Sequence, residues 1–108
     1  MNAERLAPGD LHALLGDLNA ARQHPWVLRD DAICKEFRFP DFVAAFRFMT
    51  GCALIAERMD HHPDWRNLYN RVEVSLSTHD AGGVTTKDFA LARAMEGLVS
   101  AEHGETGA

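Results

Sequence analysis

Three of the six histidines in this chain stand among carboxylates in two short segments, Glu57-Arg58-Met59-Asp60-His61-His62-Pro63-Asp64-Trp65 and Thr78-His79-Asp80. Imidazole is the one side chain whose ordinary pKa, about 6.5, lies between pH 5 and 8. Near neutrality, part of such a set carries a proton and part does not. A site built from several of them can hold an acid and a base at once. That is the requirement of a dehydration: a proton for the departing hydroxyl and an acceptor for the proton left behind.

The spacing says where each would sit. Glu57 and His61 are four residues apart and share one face if the segment is helical. The dipole at a helix C-terminus favours an imidazole there and favours its protonated form. His62 precedes Pro63, which pushes it towards extended geometry, so His61 falls where the backbone leaves the helix. His79 belongs to the polar face of a strand, with Ser75 and Ser77.

Each of these residues also has a plain structural reading. Glu57–His61 is a surface ion pair, His62 a loop residue, His79 a solvated side chain, Asp88 a helix cap, and Trp26 and Trp65 are core. His12, His24 and His103 have no partner pattern and read as exposed. His61, His62 and His79 with a carboxylate are suitable ligand types for zinc or non-haem iron. Adjacent residues at a helix exit, however, seldom point to one centre.

The elements that would position these groups follow from periodicity. Asp10 can cap a first helix whose stripe is Leu11, Leu14, Leu15 and Leu18, ending before His24–Pro25. Trp26–Leu28 is a short strand, Arg29–Asp31 a turn, and Ile33–Phe39 a second strand. Lys35 interrupts that strand's apolar face, which predicts a short or edge position. Pro40 suits the first position of a central helix running to about Asp60, with Asp41 at its positive end and Phe42, Phe46 and Met49 as core. Trp65–Tyr69 is a third strand. Val72, Val74 and Leu76 alternate with Glu73, Ser75 and Ser77, the clearest period-two pattern in the chain. Asp80–Gly83 is a turn, and Thr85-Thr86-Lys87-Asp88 resembles a capping box opening a last helix with Leu91, Met95, Leu98 and Val99 buried. The order helix, strand, strand, helix, strand, strand, helix predicts an α+β fold. It would be a two-layer domain with a four-stranded antiparallel sheet and three helices on one face.

The 108 residues fit one domain, with 1–8 a loose leader and 103–108 a frayed tail. A net charge of −5 makes the chain a poor holder of phosphate backbones and argues against direct nucleic-acid binding. Its apolar runs are too short for a membrane span. Nothing resembles a signal peptide, so the expected location is cytoplasmic. Cys34 and Cys52, without CxxC spacing, read as buried reduced thiols.

The residues together resemble the pterin-4a-carbinolamine dehydratase family, also called the dimerization cofactor family. The likeness runs from about Trp26 to Leu98. Its core is Glu57, His61-His62-Pro63, Trp65, Tyr69-Asn70, Leu76-Ser77-Thr78-His79-Asp80, Gly83 and Asp88; Asp41-Phe42 and Phe46 to Thr50 match the family's central helix. The resemblance implies removal of water from a 4a-hydroxytetrahydropterin to give quinonoid dihydropterin, in the recycling of the pterin used by aromatic amino-acid hydroxylases. It implies no metal, no bound cofactor and a homo-oligomer, a dimer or a homotetramer built as a dimer of dimers. It also implies roles: His61 and His79 as acids towards the 4a-hydroxyl, and His62 holding the ring and accepting the N5 proton. Glu57, Asp60 and Asp88 would orient imidazoles or contact the pterin. Trp26 and Trp65 would wall the pocket, with Pro63, Thr78 and Asp80 beside the substrate. Asp80 stands where many relatives carry the longer Glu. The alternative is a non-catalytic protein-binding or assembly module of the same fold.

Overall fold

The backbone alternation from Arg71 to Leu76 builds the centre of the molecule. In this computed structural model, which describes residues 4–102, Val72, Val74 and Leu76 are buried while Arg71, Glu73 and Ser75 are half-buried on the other side. That strand, β4 (Arg71–Leu76), pairs antiparallel with β2 (Ala32–Arg38) and β3 (Asp64–Leu68), and β1 (Val27–Arg29) completes a four-stranded sheet in the order β1-β2-β4-β3. Register places Phe37 opposite Val72 and Lys35 opposite Val74. Directly opposed residues share a face. Three helices, α1 (Pro8–Asn19), α2 (Phe42–Met59) and α3 (Thr86–Glu102), accompany the sheet. The core joins Ile33, Phe37, Val72 and Leu76 to Phe48 and Cys52 of α2, Leu18 of α1, and Leu91 and Met95 of α3. The expected fold class and element order hold.

Four expectations are corrected. First, α1 opens at Pro8 with Ala7 as an N-cap that makes no side-chain bond, so Asp10 lies inside its first turn. Proline at the first position supplies the geometry without a cap. Leu6, in the segment read as a loose leader, donates its N–H to the Val84 carbonyl at 2.9 Å; the tail 103–108 lies outside the described residues.

Second, α2 begins at Phe42, not Pro40. Asp41 is its N-cap, and its carboxylate accepts from the Ala44 N–H at 2.8 Å.

Third, Phe42 and Phe46 are not core. They are 45 % and 52 % exposed, beside Val43 and Leu54 on the outer side of α2, while Ala45, Phe48, Cys52 and Ala56 face inward. The helix carries two apolar stripes, and periodicity alone cannot say which one the sheet takes.

Fourth, Lys35 marks no edge. It stands in a central strand with its ammonium buried and bound to Glu96 of α3 at 2.6 Å. The same Glu96 Oε2 accepts the Trp26 indole N–H at 2.8 Å, and Arg22 approaches its Oε1 at 3.3 Å. A buried charge persists where it is paired and hydrogen-bonded.

Both thiols are free. Cys52 is buried, and burial pushes its pKa from 9.0 up to about 12. Cys34 is half-buried, its thiol donating to the Ser75 hydroxyl at 3.6 Å.

Candidate active site

The C-terminal end of α2 decides where two consecutive histidines go. Asp60 caps the helix in the left-handed conformation, φ 52°, ψ 44°. Aspartate tolerates that region better than most residues. The chain turns sharply there: the His61 N–H still bonds the Ala56 carbonyl at 3.0 Å, and its side chain goes inward. His61 is 8 % exposed, whereas His62 is exposed.

From the other side, β4 ends at Leu76 and the chain tightens into a 3-10 turn, His79–Ala81, closed by Gly82 at φ 72°. His79 is therefore on this turn and not on the polar face of the strand. The Thr78–Gly83 bridge closes the loop. Period-two reading carried the strand too far, because the turn is set by the glycine pair that follows.

Asp88 joins the two sides. The Thr85 N–H donates to its Oδ2 at 2.8 Å, and the Thr85 hydroxyl accepts from the Lys87 N–H at 3.2 Å, which together make the capping box that the sequence promised at the start of α3. Its other oxygen, Oδ1, lies 2.5 Å from Nε2 of His61, with both side chains buried. Capping and imidazole binding, alternatives in the sequence, are both performed by one carboxylate. Asp88 also lies at the α3 N-terminus, the positive end of that helix's dipole.

His61, His62 and His79 open onto one cavity of about 300 Å³, lined also by Asp60, Ser77, Thr78, Asp80 and Lys87. This volume is at the lower end of the ~300–1,000 Å³ typical of small-molecule sites. Of the expected site residues, the cavity gathers these three histidines with Asp60, Thr78 and Asp80. Two more stand behind them: Asp88 on His61, and Glu57, whose Oε1 pairs with His62 Nε2 at 2.9 Å on an exposed surface. Glu57 thus meets His62 and not His61, because the left-handed turn at Asp60 carries His61 off the helix face. Pro63 is not in the lining.

Nor are the two tryptophans. Trp26 is 1 % exposed, edge-on to Phe37 and bound to Glu96. Trp65 packs against the core on the face it shares with Val74.

Ser77 and Lys87 are lining residues the sequence reading passed over. Lys87, inside the Thr85–Asp88 capping pattern, was the available signal. The described side chains give the ammonium of Lys87, the imidazole of His79 and the carboxylates of Asp60 and Asp80 no ion pair or hydrogen bond, so these groups are free for a ligand. No group of three or more His, Cys, Asp or Glu among the described residues is arranged to hold a metal ion.

Two of the larger hollows among the described residues carry less chemistry. One, of about 680 Å³, lies along the sheet beside Cys34, Glu36, Arg66, Glu73 and Ser75, has no imidazole, and has Arg66 and Glu73 paired at 3.0 Å. The other, of about 500 Å³, lies between the N-terminal segment and Leu28.

The family described as "Pterin 4 alpha carbinolamine dehydratase" matches residues 5–98. The chain belongs to that family. The match begins well before Trp26, so the N-terminal segment and α1 are part of the family pattern. A Bradyrhizobium diazoefficiens protein named "Putative pterin-4-alpha-carbinolamine dehydratase" is 62 % identical over 74 residues, 68 % of this chain and 74 % of that one. A Rhizobium johnstonii protein of the same name is 50 % identical over 98 residues, covering 89 % of this chain and 92 % of its own length. The crystal structure of a protein from Brucella melitensis called a transcriptional coactivator/pterin dehydratase superposes with a TM-score of 0.77 at 42 % identity, over 88 % of this chain and 98 % of that one.

Proposed function

We propose that this chain dehydrates 4a-hydroxytetrahydropterin to quinonoid dihydropterin by histidine acid–base catalysis. The observation that carries this reading is the convergence of His61, His62 and His79 on one cavity, with His61 gripped from behind by buried Asp88. His61 or His79 protonates the 4a-hydroxyl. The C4a–O bond breaks as the N5 lone pair forms the C4a=N5 bond, and water leaves. His62, with Glu57 behind it, takes the proton from N5, so the enzyme's proton count is restored after one transfer between imidazoles. Asp60, Asp80 and Lys87 bind the polar edge of the ring. The test follows the absorbance of the 4a-hydroxy intermediate made by an aromatic amino-acid hydroxylase. Its decay should accelerate with added protein, and decay at the buffer rate would refute the proposal.

The working form in this reading is a homo-oligomer in the cytoplasm, one domain per chain, supplying a hydroxylase with recycled pterin. Phe42, Val43, Phe46 and Leu54 leave an apolar surface on α2 that a second copy would cover. The described helices include none long and apolar enough to cross a membrane.

A second reading, a protein-binding module, is favoured by the coactivator name of the Brucella melitensis relative and by that same surface. A stoichiometric heteromeric complex together with no effect on the carbinolamine would select it.

A further inference from the structure

The groups behind His61 exceed what a helix cap needs. Thr85 is 0 % exposed and does not line the cavity. Thr78 donates its single hydroxyl proton to Asp88 Oδ2 at 2.9 Å, because an ionised carboxylate can only accept. In the 2.7 Å contact between the two threonine hydroxyls, Thr85 must therefore be the donor and Thr78 the acceptor. The order is then one-way: Lys87 N–H to Thr85, Thr85 to Thr78, Thr78 to Asp88 Oδ2, with the Thr85 N–H on the same oxygen. Oδ2 is filled from this side, and Oδ1 is left for His61. An acceptor at Oδ1 fixes the proton of a neutral His61 on Nε2. Nδ1 has no protein partner among the described residues and is not sealed from solvent.

We infer that Thr85 is a positioning residue. Acting through Thr78 and Asp88, it holds His61 in the Nε2–H form and makes Nδ1 the atom that exchanges a proton in the cavity. The catalytic half of this inference rests on the function proposed above; the ring form does not, since it belongs to the protein alone.

The test combines nitrogen NMR of ¹⁵N-histidine-labelled protein with turnover of the carbinolamine, for wild type, Thr85→Val, Thr85→Ala and Thr85→Ser. The His61 resonances should report Nε2–H in wild type and in Thr85→Ser. Without the hydroxyl that orders Thr78, Asp88 is held less firmly with Oδ1 towards His61, and those variants should show a mixture of both tautomers. Those variants should lose about 10-fold in kcat with KM unchanged, and serine should restore the rate. A role confined to capping would lower Tm and leave ring form and kcat alone, which would overturn the inference. So would an Nδ1–H tautomer in wild type, a measurement that stands even if the variants fail to fold. An inactive wild type would remove the proposed function, and the tautomer comparison would still decide the role of Thr85.

Discussion

Asp88 and Glu96 are two carboxylates buried on the same helix, two turns apart, and they are used in opposite ways. Glu96 collects the Lys35 ammonium, the Trp26 indole and the Arg22 guanidinium, joining β2 and the segment between α1 and β1 to α3. Nothing in that set lines the histidine cavity. Asp88 collects two threonines and one imidazole, and the imidazole opens onto the cavity. Both carboxylates are satisfied, as buried charges must be. What separates architecture from chemistry is whether the last partner in the network can exchange a proton with something outside. Lys35 is closed in; His61 is not.

The comparison can be broken most forcefully at Glu96. Glu96→Ala removes the carboxylate that pairs with the buried Lys35 ammonium and should cost about 3–5 kcal/mol in chemical denaturation, with little loss of turnover by the fraction that stays folded. Equal losses in stability and specific activity would mean that the two networks are one.

The reverse case is His61→Ala. It should lower dehydration by at least ~10² with the far-UV spectrum close to wild type, while the denaturation midpoint falls because Asp88 Oδ1 loses its partner. Wild-type turnover by that folded variant would remove His61 from the reaction.

Phe46→Glu touches neither carboxylate. It places a charge on the outer stripe of α2 and should reduce the mass seen by light scattering without lowering Tm of the protomer fold. A monomeric wild type at working concentration would void the oligomer.

Cys52, a buried titratable group without a compensating charge, gives the smallest effect. Its folded pKa is about 12 against an ordinary 9.0. The thiol is protonated in both states below pH 9, where it adds nothing to the pH slope. From 9 towards 12 only the unfolded chain ionises, so stability falls as pH rises. Denaturation at about pH 8 and about pH 10 should show a steeper fall for wild type than for Cys52→Ala.

Which features could be read from the sequence follows from the range of the forces that set them. The alternation of Val72, Val74 and Leu76 and the Thr85–Asp88 cap are local patterns, and both appear where expected. So does the meeting of His61, His62 and His79, which the family likeness supplied and periodicity did not. Lys35 was misread because its partner, Glu96, is 61 residues away and invisible to any window on β2. Phe42 and Phe46 were misread because a helix apolar on two sides does not declare which side meets the sheet. Trp26 was read towards the pocket, and it lies instead in the core at the Glu96 network. Asp88 posed a choice between cap and ligand that sequence cannot resolve, since a carboxylate has two oxygens and only coordinates show both engaged.

The reversal of backbone hand at Asp60 has one more consequence. It deals neighbouring imidazoles into different company: the first is locked among interior groups, and the second stands in water on a carboxylate it can release. A visitor would therefore meet one rigid instrument and one that can swing to follow it. A residue with a branched β-carbon at that single hinge would be strained in the left-handed region and would work against this division of labour.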